Sequence, residues 1–389
     1  LLGTRIGEIY MITKITTFSN PTDPYKSDLC QLYYVAGLQQ YASENGALFE
    51  RISQYRFMKA VQFFFRVGNS HKLNKLLGKD HWFFNVVHWL ADIIKKKTSL
   101  ALKYRNIEPG QYYITMKDGC EYKVYIDHQD SSERYYPEML KWCDVYFKAN
   151  YSKYIKYEEK IIPMVNGNPN IPGNLSYFRS CRKMGKQYDL SCILRVWGGR
   201  DEVEGIEHNL RLIEALSKAD CKKYFHIQLI ESSAAYVAKR LDALRIPWSM
   251  DPIPFKTYLK ISARSKLVIA RHGMHFCMPW GIIDKLAIGA CIVLDHDPYT
   301  VWPQPLARNK NYFSLDVESS PKQLFSPLDA YAAVPGKIHE FLVNGEARKR
   351  ISENNSNYFD DYCVPYKIGE HIIRTVLGAS PIHPARLAV

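Results

Sequence analysis

Three observations predict an α/β protein of two domains. Short apolar runs rich in Val, Ile, Tyr and Phe alternate with helical segments, a Pro, Gly and Asn-rich stretch divides the chain, and 389 residues exceed what one hydrophobic core usually fills. Apolar content of 47% with 23% charged residues is ordinary globular composition, so disorder is not indicated. Lys and Arg number 52 against 39 acids, a formal charge of +13 that attracts anions: nucleotide phosphates, anionic lipid headgroups or nucleic acid. The nine Cys form no metal-type spacing and fit reduced thiols in a cytosolic compartment. No window reaches the ~18 apolar residues that span a bilayer, and no signal pattern opens the chain. Residues 1–10 are left out of the fold argument.

Residues 11–110 read mainly as helix, with turn signals at 20–24 and at Pro109-Gly110. No opening strand is evident. Within His81 to Ile94, His81, Asn85, His88 and Asp92 recur at spacings of 4, 3 and 4, one polar stripe on a helix otherwise apolar and hence largely buried. Three readings stay open for it: a solvent edge, the lining of a cleft that touches an acceptor, or, with Trp82, Trp89 and Lys95-Lys96-Lys97, a helix lying on an anionic membrane. Strand signals follow at Tyr122–Ile126 and Val145–Ala149, with a helix near Pro137 to Trp142 between them. Residues 161–175, IIPMVNGNPNIPGNL, read as a linker.

A second α/β domain begins near Tyr188. Strands are expected at Leu190–Val196, Tyr224–Ile230, Leu267–Ala270 and Ala290–Leu294, with amphipathic helices between them, so a parallel sheet with right-handed crossovers follows. In such a sheet the loops leaving the carboxyl ends of strands form the ligand crevice. Arg271-His272-Gly273 and Asp295-His296-Asp297 stand at two such ends. Arginine, imidazole and a glycine backbone suit a phosphate, and a facing carboxylate suits a sugar hydroxyl.

Over Ser265 to Trp302, the order strand, basic-Gly turn, helix bearing Asp284 five positions before a glycine, and strand Gly289-Ala290-Cys291-Ile292-Val293 resembles the donor-binding half of GT-B glycosyltransferases. Within these it is most similar to the exostosin-type pattern, although Asp284 stands where those families usually carry Glu and Phe276 where many retaining members carry a further Glu. The resemblance implies two Rossmann-like domains with a deep interdomain cleft and extra helices in the first. Its domains would be an acceptor-side domain over 11–165, a linker over 166–187, a nucleotide-sugar domain over 188–362 and a crossing helix over 363–378. It implies transfer of a sugar from a nucleotide-activated donor to a glycan or lipid-linked acceptor, in surface polysaccharide or glycoconjugate biosynthesis. No cofactor is implied, the nucleotide-sugar being substrate, and neither metal nor nucleic acid is expected.

On this reading the donor contacts are Arg195, Gly198, Gly199, Arg200, Arg271, His272, Gly273, Asp284 and Lys285, with Asp284 on ribose or sugar hydroxyls. Acid/base work falls to Asp127, His128 and Asp130, a carboxylate and imidazole cluster after a strand. His81, Asn85 and His88 are acceptor-side candidates. The expected place is the cytoplasm or the cytoplasmic face of a membrane, with peripheral membrane contact. Asp295 and Asp297 form a DxD, a metal-nucleotide motif elsewhere, but close the fourth strand of a second domain and read as cleft or strand-end residues. Two alternatives remain: a sugar-nucleotide epimerase or hydrolase on the same fold, and a non-catalytic basic binder of anionic membrane or nucleic acid.

Overall fold

The computed structural model describes residues 12–19, 28–53, 110–196, 203–230, 234–273, 277–317 and 328–378, together with 82, 85–87 and 89. Two six-stranded sheets organise them, so the chain is α/β as expected. The first half contains β1 (Ile12–Ser19), α1 (Asp28–Glu44), β2 (Leu48–Ser53), β3 (Gln111–Met116), β4 (Glu121–Asp127), α2 (Pro137–Trp142), β5 (Val145–Lys148) and β6 (Ile161–Pro163). Its sheet runs β2-β1-β3-β4-β5-β6 and is mixed, because β3 lies antiparallel to both β1 and β4 while the other pairs are parallel. The reversal is a tight turn in which Gly119 takes φ +84° and Asp118 Oδ1 accepts from Cys120 N at 2.9 Å.

β1 supplies an opening strand that the sequence did not show, and β2 a second, while most of the remaining expected helix over 11–110 lies outside the described residues. Residues 15–18 of β1 are all buried, since the strand is central in its sheet. A strand covered on both faces carries no polar/apolar alternation to read. The helical residues 82, 85–87 and 89 also depart from the expected buried helix, because Trp82 is 66% and Trp89 61% exposed and Val86 stands in solvent, while Val87 is buried.

The second half contains α3 (Leu175–Cys181), β7 (Tyr188–Val196), α4 (Val203–Ser217), β8 (Lys223–Leu229), α5 (Ala234–Ala243), β9 (Trp248–Ser249), α6 (Phe255–Ala263), β10 (Ser265–Ala270), α7 (Gly281–Ala287), β11 (Ile292–Leu294), β12 (Tyr312–Ser314), α8 (Leu328–Ala332), α9 (Val334–Val343), α10 (Gly345–Tyr358) and α11 (Pro365–Gly378). All its strand pairs are parallel, in the order β12-β11-β10-β7-β8-β9. The chain lays β7 down first, builds outward through β8 and β9, then returns to build β10, β11 and β12 on the other side. The direction reverses between β7 and β10, and loops diverge there to open a crevice at the strands' carboxyl ends.

Close helix packing ties the halves together. α11 lies against α1 through two glycines: a Cβ on Gly37 would stand 2.3 Å from Pro365 O, and one on Gly369 would stand 2.3 Å from Gly37 O. A single apolar core takes Ile15 and Phe147 from the first half and Ile282, Leu286 and Ile372 from the second. The expected linker supplies a polar clamp. Asn166 Nδ2 donates to Met278 O at 2.6 Å, Trp280 Nε1 donates to Asn166 Oδ1 at 3.1 Å, and Asn168 Nδ2 donates to Asp284 Oδ1 at 2.7 Å.

The glycine of the Gly289–Val293 run ends α7 with φ +63°, a left-handed residue after a helix end. A side chain there would meet Ser356 Oγ at 2.3 Å, so α10 packs directly on this backbone. On the same helix the buried Asn355 donates from Nδ2 to Ala290 O and Asn311 O, at 2.8 and 2.9 Å. This part of the run is therefore held by packing.

Candidate functional site

The reversal between β7 and β10 holds a cavity of about 310 Å³. Ile193, Leu194 and Arg195 of β7 line one side, and Ile269, Arg271, His272 and Gly273 at the end of β10 line another. Asn209 of α4, Tyr258 of α6, and Pro279, Gly281 and Lys285 complete it. Five expected donor residues, Arg195, Arg271, His272, Gly273 and Lys285, thus meet around one space. Three are cations, and none of the described lining residues is a carboxylate.

Gly273 is required where it stands, since a Cβ would lie 2.4 Å from Cys277 Sγ, and its N–H closes the loop by donating to Cys277 O at 2.9 Å. Lys285 Nζ donates to Tyr258 OH at 3.0 Å and to Gly281 O at 3.2 Å. Burial lowers the Lys285 ammonium, with Asp284 opposing the shift. Arg271 Nη1 donates to Asn209 Oδ1 at 2.5 Å, which fixes the amide and leaves Asn209 Nδ2 buried without a partner. Arg271 Nε and His272 Nε2 are also buried without a hydrogen-bond partner. Such atoms cost about 1–3 kcal/mol each unless something fills the cavity and bonds them.

Behind the cavity lies Asp295, whose side chain is 2% exposed. Its Oδ1 accepts from His272 Nδ1 at 2.8 Å and from His296 N at 3.1 Å, while Oδ2 faces His208 Nε2 at 3.6 Å and Arg271 Nε at 3.9 Å. Burial alone would raise this carboxyl. The imidazoles of His296 and His272, with hydrogen bonds from His208 and His272, outweigh it and hold Asp295 well below the usual carboxylate range. Burial pushes His208 and His296 down.

His272, Asp295 and His296 bring possible ligand atoms within 4.8 Å of one another. Yet the two rings are stacked, centroids 3.9 Å apart and planes at 15°, so their in-plane lone pairs do not converge on one ion. His296 Nδ1 is committed to Asp297 O at 2.8 Å. Asp297 is occupied on the surface by Arg308, at 2.9 and 3.0 Å. The DxD carboxylates therefore point to different partners.

Several expected residues stand away from the cavity. Asp284 is not among the lining residues; it is buried and bonded to Asn168, which joins the two halves. Asp127 is closed off: Lys148 Nζ donates to it at 3.0 Å, Tyr146 OH at 2.8 Å and Gln129 N at 2.8 Å, with both charged side chains fully buried. It is a structural ion pair. His128 Nδ1 lies 3.0 Å from Gln31 Nε2, whose assignment is set by its bond to the Ile126 carbonyl at 2.9 Å. Nδ1 therefore accepts, and the neutral ring carries its proton on Nε2, which cannot then act as a base.

Asp130 is exposed and lies near the cavity's loop. Burial and then the Asp130 charge push the Cys277 thiol up to about 12, while Arg271 opposes them. Asn85 is exposed. Gly198, Gly199, Arg200, His81 and His88 lie outside the described residues.

Sequence reasoning missed Asn209 and Tyr258 and treated Asp295 as a strand-end residue. Asn209 had a signal: it sits three positions after Ile206 and one before Leu210, on the apolar stripe of α4, where a polar side chain needs a reason.

No family model and no curated protein sequence matches the chain. Among solved structures, a glycosyltransferase from Rickettsia africae ESF-5 superposes with a TM-score of 0.49 at 15% identity, covering 96% of this chain and 100% of that one. HepE from Anabaena, solved with UDP and glucose, gives 0.46 at 12% identity over 94% and 100%. MurG from Acinetobacter baumannii gives 0.40 at 10% over 94% and 99%. These are resemblances in the path of the chain, and the functional reading rests on this chain's own residues.

Proposed function

We propose that this protein is a GT-B-type glycosyltransferase that moves a sugar from a nucleotide-activated donor to a glycan or lipid-linked acceptor. One observation carries the reading. The cavity at the strand-order reversal is lined by Arg195, Arg271 and Lys285, with no carboxylate among the described lining residues, and Arg271, His272 and Asn209 carry buried polar atoms without hydrogen-bond partners. Cations and unbonded donors grouped around one space suit an anion, and a site at the carboxyl ends of parallel strands suits a nucleotide.

In this proposal residues 11–165 serve the acceptor, 166–187 link, 188–362 bind the donor and 363–378 cross back. The donor diphosphate lies against Arg271, Asn209 Nδ2 and Lys285, with Arg195 at the rim. As the glycosidic bond breaks, charge grows on the leaving phosphate. Positions already occupied by cations and N–H groups stabilise that charge without reorganising, a contribution usually worth several kcal/mol. Supplied this way, the stabilisation requires no bound metal. Asp130, from the opposite half, takes the proton of the acceptor hydroxyl. The exostosin-type subfamily and a role in surface polysaccharide synthesis remain part of the proposal.

Peripheral membrane contact, at the cytoplasmic face, fits the exposed Trp82 and Trp89. No helix among the described residues is long and apolar enough to cross a membrane.

The test is a thermal-shift panel of UDP, GDP, CMP, ADP and their sugar conjugates, with Mg²⁺ or EDTA. A ligand at a hundredfold excess over its Kd adds about 2.7 kcal/mol of apparent stability. A shift with one nucleotide that survives EDTA and falls to less than half in Arg271→Ala supports the proposal. A shift only with metal moves Asp297 and its neighbours to the centre, and no shift with any nucleotide removes the reading. Donor consumption without an acceptor would instead favour a sugar-nucleotide hydrolase or epimerase.

A further inference from the structure

His272 has one nitrogen committed and one left over. Ionised Asp295 can only accept, so the 2.8 Å contact places a proton on His272 Nδ1. Nε2 is buried without a partner, on a residue that lines the cavity. Nearby charges cancel in pairs. Arg271 and Asp295 offset each other, and the imidazoles of His208 and His296 are pushed down by burial. Around His272 stand Asp295 and the stacked His296 from the loop after β11, Arg271 and Cys277 from its own loop, His208 of α4 behind Asp295, and Lys285 and Arg195 across the cavity. Burial pushes Cys277 up, so it stays a neutral thiol.

We propose that His272 and Asp295 form a proton-loading pair: a diphosphate entering the cavity brings one proton from solvent onto His272 Nε2, which then donates an N–H to a phosphoryl oxygen. The inference rests on the nucleotide-sugar reading and adds to it a role for Asp295 and a protonation step coupled to binding. Asp295 is a positioning residue, holding the ring through Nδ1 and stabilising the imidazolium. Without ligand, a proton on Nε2 has no acceptor; a phosphate in the cavity supplies both an acceptor and negative charge. The other rings are poor rivals for the proton, since burial pushes both below the ordinary imidazole range and His208 Nδ1 contacts Tyr331 OH.

The experiment is isothermal titration calorimetry of the whole chain with UDP-glucose, GDP-mannose and ADP-glucose, at one pH near neutrality and in buffers of different ionisation enthalpy. These sugar diphosphates carry no group that titrates near neutrality, so protons exchanged belong to the protein. The slope of heat against buffer enthalpy should show uptake of about one proton per ligand, and affinity should rise as pH falls from 8 to 6, by at most about tenfold per unit. His272→Gln should bind with uptake near zero. Asp295→Asn keeps an acceptor for Nδ1 but removes the charge, and should show reduced uptake with its affinity maximum displaced to lower pH. Binding by wild type without proton uptake overturns this inference and leaves the nucleotide reading intact. Uptake unchanged in His272→Gln also overturns it, and binding by none of the three probes removes both.

Discussion

Asp127 and Asp295 are both buried carboxylates near the carboxyl ends of strands in α/β sheets, yet they are built for different ends. Asp127 receives Lys148, Tyr146 and a backbone N–H at 3.0 Å or less, so every strong demand on it is met from within the first half. Asp295 is ringed by three imidazoles and a guanidinium, and two of those residues, Arg271 and His272, carry buried polar atoms with no partner beside a cavity. Burial and ion pairing are common to both. What separates a site from a strut is unmet hydrogen-bonding capacity facing a space a ligand can enter.

The sharpest way to break the comparison is Lys148→Ala. It strands the Asp127 charge in the core and should cost about 3–5 kcal/mol in urea unfolding. If Asp127 were catalytic, the surviving folded fraction would lose turnover as well; a normal rate per folded molecule keeps it structural. Next in size is Asp130→Asn. It should lower kcat by about 10²-fold or more with donor affinity unchanged, as expected of a lost general base. An unaltered kcat would return the proton-transfer role to another group.

Arg271→Ala tests the other member of the comparison. Loss of a charge-assisted contact should weaken nucleotide-sugar binding about 30-fold, or about 2 kcal/mol, by calorimetry. Equal affinity would place the phosphates elsewhere. The smallest effect lies in acid. The folded-state values of His208 and His296 lie below the ordinary imidazole range, so as pH falls through about 6.5 the unfolded chain takes up protons that the native state refuses. Stability is therefore complete above that range and declines below it. Asp295, held low in the native state, loses its own contribution only in stronger acid, as pH drops through the unfolded carboxylate range toward its native value. His208→Gln should flatten the first part of that decline, by less than about 1 kcal/mol, in urea midpoints between pH 5 and 7.5.

Legibility from sequence varied with how local the signal was. Leu190–Val196, Leu267–Ala270 and the end of β11 were readable because short apolar runs flanked by turns have few other uses. β1 was hidden among Thr and Ile residues buried on both faces, and the β3–β4 reversal hung on one turn around Gly119. Arg271 and His272 could be placed at the cavity because both directly follow a buried strand. Asp284 misled for the same kind of reason: a motif position identifies an acid but not the amide it meets, and Asn168 lies 116 residues away.

By itself the sequence determined the alternation of strands and helices in the second half, the basic turn after β10 and the basic balance of the whole. These follow from periodicity, turn chemistry and composition, all local or additive properties. Only the tertiary structure decided that β7 and β10 are neighbours at a reversal, which brings Arg195, Asn209, Arg271 and Lys285 around one cavity. It also decided that Lys148 silences Asp127 while Asp130, three residues on, stays exposed. Whether a charged or polar group is satisfied or waiting depends on partners brought from distant positions by packing, and no window of the chain contains them.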